Sequence, residues 1–151
     1  MSEGTAPKPA ILVSACLLGV RCNHRGGASP SEAAMRLGQS FRVVPVCPET
    51  MGGLPTPRPA AERQRDGAVR TGEGADVTEF YERGAAATVE LASVTGASEA
   101  VLKARSPSCG CHQVYDGSFT QTLVAGEGVT AAALRRAGVR VQSEDDLEAG
   151  A

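Results

Sequence analysis

Three short apolar runs, each followed by a cysteine, constrain this chain more than any other feature. Cys16 follows Ile11-Leu12-Val13-Ser14-Ala15, Cys47 follows Val43-Val44-Pro45-Val46, and Cys109 comes six residues after Val101-Leu102-Lys103. Runs of this length, rich in β-branched residues, predict buried strands. In an open parallel sheet the carboxyl ends of the strands share one edge, and ligands bind along it. Three thiols on one edge would offer a soft metal three sulfur ligands and leave one coordination position open.

The bulk of the chain is compatible with that arrangement. Its 151 residues suit one domain with a modest core. Aromatics are only 3% and Trp is absent, so Val, Leu, Ile and Ala must build the interior. The same scarcity removes the stacking platforms that hold single-stranded nucleic acid. A net charge of −2 supplies no field to grip a polyanion, so a nucleic-acid partner is not required. No run approaches the ~20 apolar residues of a membrane span. Val13-Ser14-Ala15-Cys16 resembles a lipoprotein cleavage box, but the apolar stretch before it falls far short of the ~7–15 residues of a signal core. Five cysteines cannot all pair internally. The expected setting is a reducing cytoplasm, where clustered cysteines bind metal or react.

Residues 1–9 read as a disordered arm, 10–144 as a single compact domain, and 145–151 as a frayed acidic tail. Strands are expected at 11–15, 42–46, 100–103 and 139–141. Ser31 can cap a short helix. A longer helix starts at Asp76, where Glu79 completes a capping-box pattern. Val77, Phe80, Tyr81, Ala85, Thr88, Leu91 and Ala92 then trace one face, and Gly96 ends it. A further helix occupies 130–137. Residues 48–75 show no clear period in their first half, although Ala68-Val69 suggests a hairpin. Pro48, Pro55, Pro57 and Pro59 argue for a fixed, functional path there. Residues 115–119 read as a turn. Alternating strands and helices imply an α/β fold, with a mostly parallel sheet, helices on both faces and the site at the carboxyl ends of the strands.

Closed zinc sites come as paired ligands such as C-x2-C. Cys16 with Cys22, and Cys109 with Cys111, do not have that spacing. His24 and His112 fit no catalytic pattern. Iron–sulfur clusters accept widely separated thiolates. A [4Fe-4S] cluster held by three of them has one iron without a protein ligand, able to act as a Lewis acid. Glu49, two residues after Cys47, is placed for acid–base work. Arg58, between two prolines, can hold a planar ligand rigidly. Glu62 shares that segment, and Lys103 points to the same sheet edge. Ser106 and Ser108 are either turn hydroxyls or ligand contacts beside the metal. Gly126-Glu127-Gly128 precedes a helix and could receive an anion.

These residues fall in ordered motifs. They are Val13-Ser14-Ala15-Cys16-Leu17-Leu18-Gly19, Val46-Cys47-Pro48-Glu49 running into Gly52-Gly53-Leu54-Pro55-Thr56-Pro57-Arg58, and Arg105-Ser106-Pro107-Ser108-Cys109-Gly110. Tyr115-Asp116-Gly117-Ser118-Phe119 and Gly126-Glu127-Gly128-Val129-Thr130 follow. From Ile11 to about residue 144 the chain resembles the thiouracil desulfidase family. The resemblance implies a [4Fe-4S] cluster on Cys16, Cys47 and Cys109. It implies conversion of a thiolated base such as 2-thiouracil to the oxo base and sulfide. The family's acidic residue falls on Glu49 and its serine in the Ser106-Pro107-Ser108 turn, with Ser106 favoured. Its partners would be a small thiolated base and the iron–sulfur assembly machinery. The chain departs from the pattern at Asn23-His24-Arg25-Gly26, where the family carries Arg-Tyr-Asp-Gly. It departs again at Ala60, where proline is common, and with the additional thiol of Cys111. Two other readings compete: a metal-free persulfide carrier using Cys109 as nucleophile, and a non-catalytic metal-binding module.

Overall fold

The computed structural model describes residues 7–149. Most of the expected N-terminal arm and the last two residues of the expected tail lie outside them. In chain order the elements are β1 (Ala10–Ser14), α1 (Glu32–Met35), β2 (Arg42–Val46), α2 (Pro48–Met51), β3 (Ala61–Arg63), β4 (Val69–Thr71) and α3 (Thr78–Thr95). Then come β5 (Glu99–Leu102), β6 (Gln113–Tyr115), β7 (Leu123–Ala125), α4 (Val129–Arg136), β8 (Arg140–Ser143) and α5 (Glu144–Ala149). A 3₁₀ turn, Ala15–Leu18, follows β1 directly.

Four strands form one parallel sheet in the order β2-β1-β5-β8. β1 is central and buried along its whole length, which is why its run is apolar without alternation. Leu12 packs with Ala92, Ala100, Leu102 and Leu134 beneath α3 and α4. Ile11 and Val13 point the other way, against Leu17, Ala34 and Leu147 beneath α1 and α5. Each fully buried Leu contributes about 1.5–3 kcal/mol by leaving water. The fold is therefore the α/β arrangement read from the chain, with strand ends displaced by one or two residues. Two small hairpins, β3–β4 and β6–β7, stand apart from this sheet.

Local sequence explains most helix ends. Ser31 Oγ accepts the Ala34 N–H at 3.2 Å, as expected. Asp76 accepts the Thr78 N–H and hydroxyl, but Glu79 turns away to Arg83 at 2.7 Å. The capping box expected at 76–79 is therefore not formed. The acidic residues expected to fray begin helix α5 instead. Asp146 accepts the Ser143 N–H at 2.9 Å and Ser143 Oγ accepts the Asp146 N–H at 3.3 Å. The acidic first turn complements the helix dipole, and Leu147 docks on the sheet. No helix among the described residues is long and apolar enough to cross a membrane.

One contact governs where the site stands. A Cβ built on Gly52 would lie 2.0 Å from the Phe80 carbonyl oxygen, and one on Gly84 would lie 2.0 Å from that of Pro48. The backbones of α2 and α3 touch because both residues lack side chains. That closeness sets Glu49 of α2 beside Tyr81 of α3. Gly84→Ala is expected to lower stability by about 1–3 kcal/mol through overpacking. Denaturant unfolding measures it, and an unchanged midpoint would mean that the two helices have room to part.

Candidate functional site

A cavity of about 510 Å³ opens at the carboxyl edge of the sheet and draws its wall from residues far apart in sequence, a size suited to a small molecule. Cys16, Cys22, Cys47 and Cys109 all line it, together with Glu49, Arg58, Glu62, Tyr81, Lys103 and Ser106. The three cysteines read from the strand ends thus converge, and Cys22 joins them. Cys16 sits in the 3₁₀ turn, which Gly19 closes in a left-handed conformation at φ 95°. Cys47 is the N-cap of α2, with Pro48 in the first turn, where a missing N–H costs nothing.

Cys109 is placed by a loop that is hydrogen-bonded on both sides. Ser106 Oγ accepts the N–H groups of Ser108 and Cys109 at 3.1 and 3.0 Å. The carbonyls of Pro107 and Ser108 accept the N–H groups of Val129, Thr130 and Ala131 at the start of α4. The helix N-terminus expected to receive an anion at Gly126-Glu127-Gly128 is therefore already occupied by the chain. Gly128 permits this docking, since a Cβ there would fall 2.4 Å from the Ser108 carbonyl carbon. Cys109 is only 5% exposed. The loop folds inward against α4 and buries it in the cavity wall.

The other residues read from the chain separate into those the structure brings together and those it does not. Glu49 and Arg58 meet at 2.8 Å, with side chains 14% and 4% exposed. Arg58 also donates to the carbonyls of Cys22 and Pro55 and to the Thr56 hydroxyl. Its guanidinium lines the cavity and braces the wall. Lys103 Nζ lies 3.1 Å from the Glu144 carboxylate, and Glu62 accepts the N–H groups of Gly117 and Phe119. Both line the cavity, with these polar ends also engaged by the protein. Ser108 does not line the cavity; its hydroxyl is fully buried against Thr130 Oγ1 at 2.8 Å. Ser106 does line it. Tyr81, at 2% exposure, was visible only as one of the apolar-face positions of α3. Its place beside a carboxylate depends on the contact between α2 and α3.

Electrostatics follow from burial. Desolvation pushes Cys16 up to about 11, partly offset by Lys103. It pushes Cys22 up to about 12, reinforced by neighbouring Cys47. Cys109 also rises to about 12 through burial, although the Ser14 hydroxyl opposes the change. Burial and the Glu49 carboxylate hold the Tyr81 phenol well above its usual range. Burial and then Arg25 lower the basicity of His24, which lines the same wall. A metal-free Cys109 is thus neutral at physiological pH, the opposite of an activated persulfide nucleophile.

The donor set fits a soft metal centre. The cysteines are all free of disulfides, and thiolates are the ligands that iron–sulfur centres use. Among the described residues, the trio whose ligand atoms all come within 4.8 Å is Cys111, His112 and Asp146. The sulfurs of Cys16, Cys47 and Cys109 thus do not all come within that distance of one another.

A parallel α/β sheet whose carboxyl edge carries a cavity lined by cysteines and an arginine-paired carboxylate defines a class of small-molecule enzyme with a soft-metal centre. Comparison with known proteins gives the family. A model of the 2-thiouracil desulfurase family matches residues 11–146, and the chain belongs to that family of enzymes. It is 42% identical to the uncharacterized protein YbbK of Bacillus subtilis (strain 168) over 146 residues, covering 91% of this chain and 97% of that one. It superposes on the solved structure of the [4Fe-4S]-dependent thiouracil desulfidase TudS with a TM-score of 0.87 and 46% identity, over 94% of this chain and 95% of that one.

Arg58→Ala is expected to leave the Glu49 carboxylate buried without its partner, at a cost of about 3 kcal/mol. Arg58→Lys should restore little of it, because an ammonium cannot span a carboxylate, two carbonyls and a hydroxyl at once. Denaturant unfolding of the two variants beside the parent checks both; full rescue by lysine would show that charge alone suffices.

Proposed function

We propose that this protein is a [4Fe-4S]-dependent desulfidase that converts a thiolated base of the 2-thiouracil type, with water, to the oxo base and hydrogen sulfide. The single observation that carries this reading is the convergence of Cys16, Cys47 and Cys109 with Glu49 on one cavity. Those three thiolates would hold the cluster, whose remaining iron supplies a soft Lewis acid for a thiocarbonyl sulfur. Replacement of C=S by C=O with release of hydrogen sulfide consumes one water and no electron.

The chain's own residues do the rest. Glu49, paired with Arg58, accepts the proton of the attacking water and returns it to the departing sulfur or a ring nitrogen. Arg58 fixes one carboxylate oxygen through its Nε at 2.8 Å. Tyr81, held neutral, closes the other side. Ser106 holds the loop of Cys109, and its position in the wall leaves it a contact for the base. The twin hairpins form the outer wall through Glu62, Tyr115 and Gln121. Cys22, whose thiol neighbours Cys47, adds a fourth sulfur to the wall. In this reading the enzyme works in a reducing cytoplasm and receives its cluster from the iron–sulfur assembly machinery.

Anaerobic purification with iron and sulfide analysis, followed by turnover of 2-thiouracil, tests it. Cys47→Ala and Cys109→Ala should each lose the brown chromophore and sulfide release together. Glu49→Gln should keep its iron and lose at least about 100-fold in rate. A colourless, iron-free chain that still releases sulfide would sink the reading.

A further inference from the structure

Beyond Cys109, the same loop carries a second set of donors outside the cavity. The ligand atoms of Cys111, His112 and Asp146 all lie within 4.8 Å of one another. None of the three residues lines the cavity. Cys111 is buried, Asp146 of α5 is half-buried, and the His112 side chain is 62% exposed. The trio thus has a sheltered sulfur on one side and access to water on the other.

The loop backbone and Asp146 are each held by contacts outside the trio. A Cβ on Gly110 would lie 2.8 Å from the Gln113 carbonyl oxygen and 2.9 Å from that of Ser106. The backbone is therefore confined between Cys109, which lines the cavity, and Cys111, which does not. The His112 carbonyl accepts the Gly126 N–H at 3.1 Å, which pins the loop again. Asp146 is fixed by the Ser143 N–H at 2.9 Å, and His112 Nε2 meets the same carboxylate oxygen at 2.8 Å. A solvated His–Asp pair alone is worth little; here it stands beside a sulfur sheltered at the margin of the hydrophobic core. Glu127 and Glu144 stand nearby but are themselves paired with Arg135 and Lys103, so Asp146 is the carboxylate offered to an ion.

We propose that Cys111, His112 and Asp146 form a binding site for a divalent cation of the zinc class, separate from the cavity. One sulfur, one imidazole nitrogen and one carboxylate oxygen are a donor set for a borderline-soft ion, with water in the fourth position. The ion would tie α5 to the loop that carries Cys109, joining donors 34 or more residues apart. Because the site exists only in the folded chain, a bound ion stabilises the fold by mass action.

The test uses the full chain purified anaerobically, equilibrated with zinc or cobalt(II), with iron and zinc measured on the same sample. The expected result is one zinc per chain in addition to any iron, and a tetrahedral cobalt spectrum with a thiolate charge-transfer band. Cys111→Ser should lose both with its iron content unchanged. Exposed His112→Ala, which carries little risk to folding, should weaken zinc binding at least about tenfold. Zinc should raise the thermal midpoint of the parent and not of Cys111→Ser. Failure of the parent to retain zinc, or wild-type zinc affinity in either variant, overturns the proposal. Since iron is read separately, loss of the zinc site and failure of the desulfidase reading give different results.

Discussion

Parallel pairing of β1 with both β2 and β5 is the constraint on which the rest of this structure depends. Ser14 lies opposite Val46, and Val13 lies between Pro45 and Val101. That register delivers the ends of three strands to one line within a few ångströms. The segments carrying Cys16, Cys47 and Cys109 then leave the sheet from neighbouring points. Had either pairing been antiparallel, one of these sulfurs would depart from the opposite edge. Burial of β1 on both faces holds the register firmly, since a slip of one residue would exchange Leu12 with Ile11 or Val13 between two differently shaped cores.

Around that edge the site is assembled by backbone proximity more than by side-chain packing. Glycine at 52 and 84 lets α2 rest on α3, and glycine at 128 lets α4 press on the Cys109 loop. These contacts bring Glu49 to Tyr81 and fix Cys109 without large hydrophobic residues, which suits a chain so poor in aromatics. Arg58 then links the segment of Cys22, the proline-rich stretch and α2 through one planar group.

β1 was readable because a fully buried parallel strand shows itself as an unbroken apolar run, and β2, though only partly buried, falls at the residues expected. The three cysteines that meet in the cavity were marked by the strand ends they follow. What could not be read depends on contacts made only in three dimensions. Helix α2 is four residues long behind a proline, too short to show a period. Ser106 and Ser108 are equivalent in a turn until α4 docks and draws Ser108 toward Thr130. The acidic stretch after Ser143 looks like a solvated tail by composition, and only Leu147 and the reciprocal cap reveal a helix. Glu62 and Lys103 line the cavity, but their charges also answer to Gly117, Phe119 and Glu144, partners 40 or more residues away.

The internal use of Arg58 and Lys103 shapes what the cavity can admit. Arg58 and Lys103 are each matched by a carboxylate of the protein itself, and Arg105, which also lines the cavity, is matched by Asp145. An uncharged heterocycle that enters the cavity disturbs none of these pairs. Most of the positive charge in this wall is thus neutralised from within before a guest arrives.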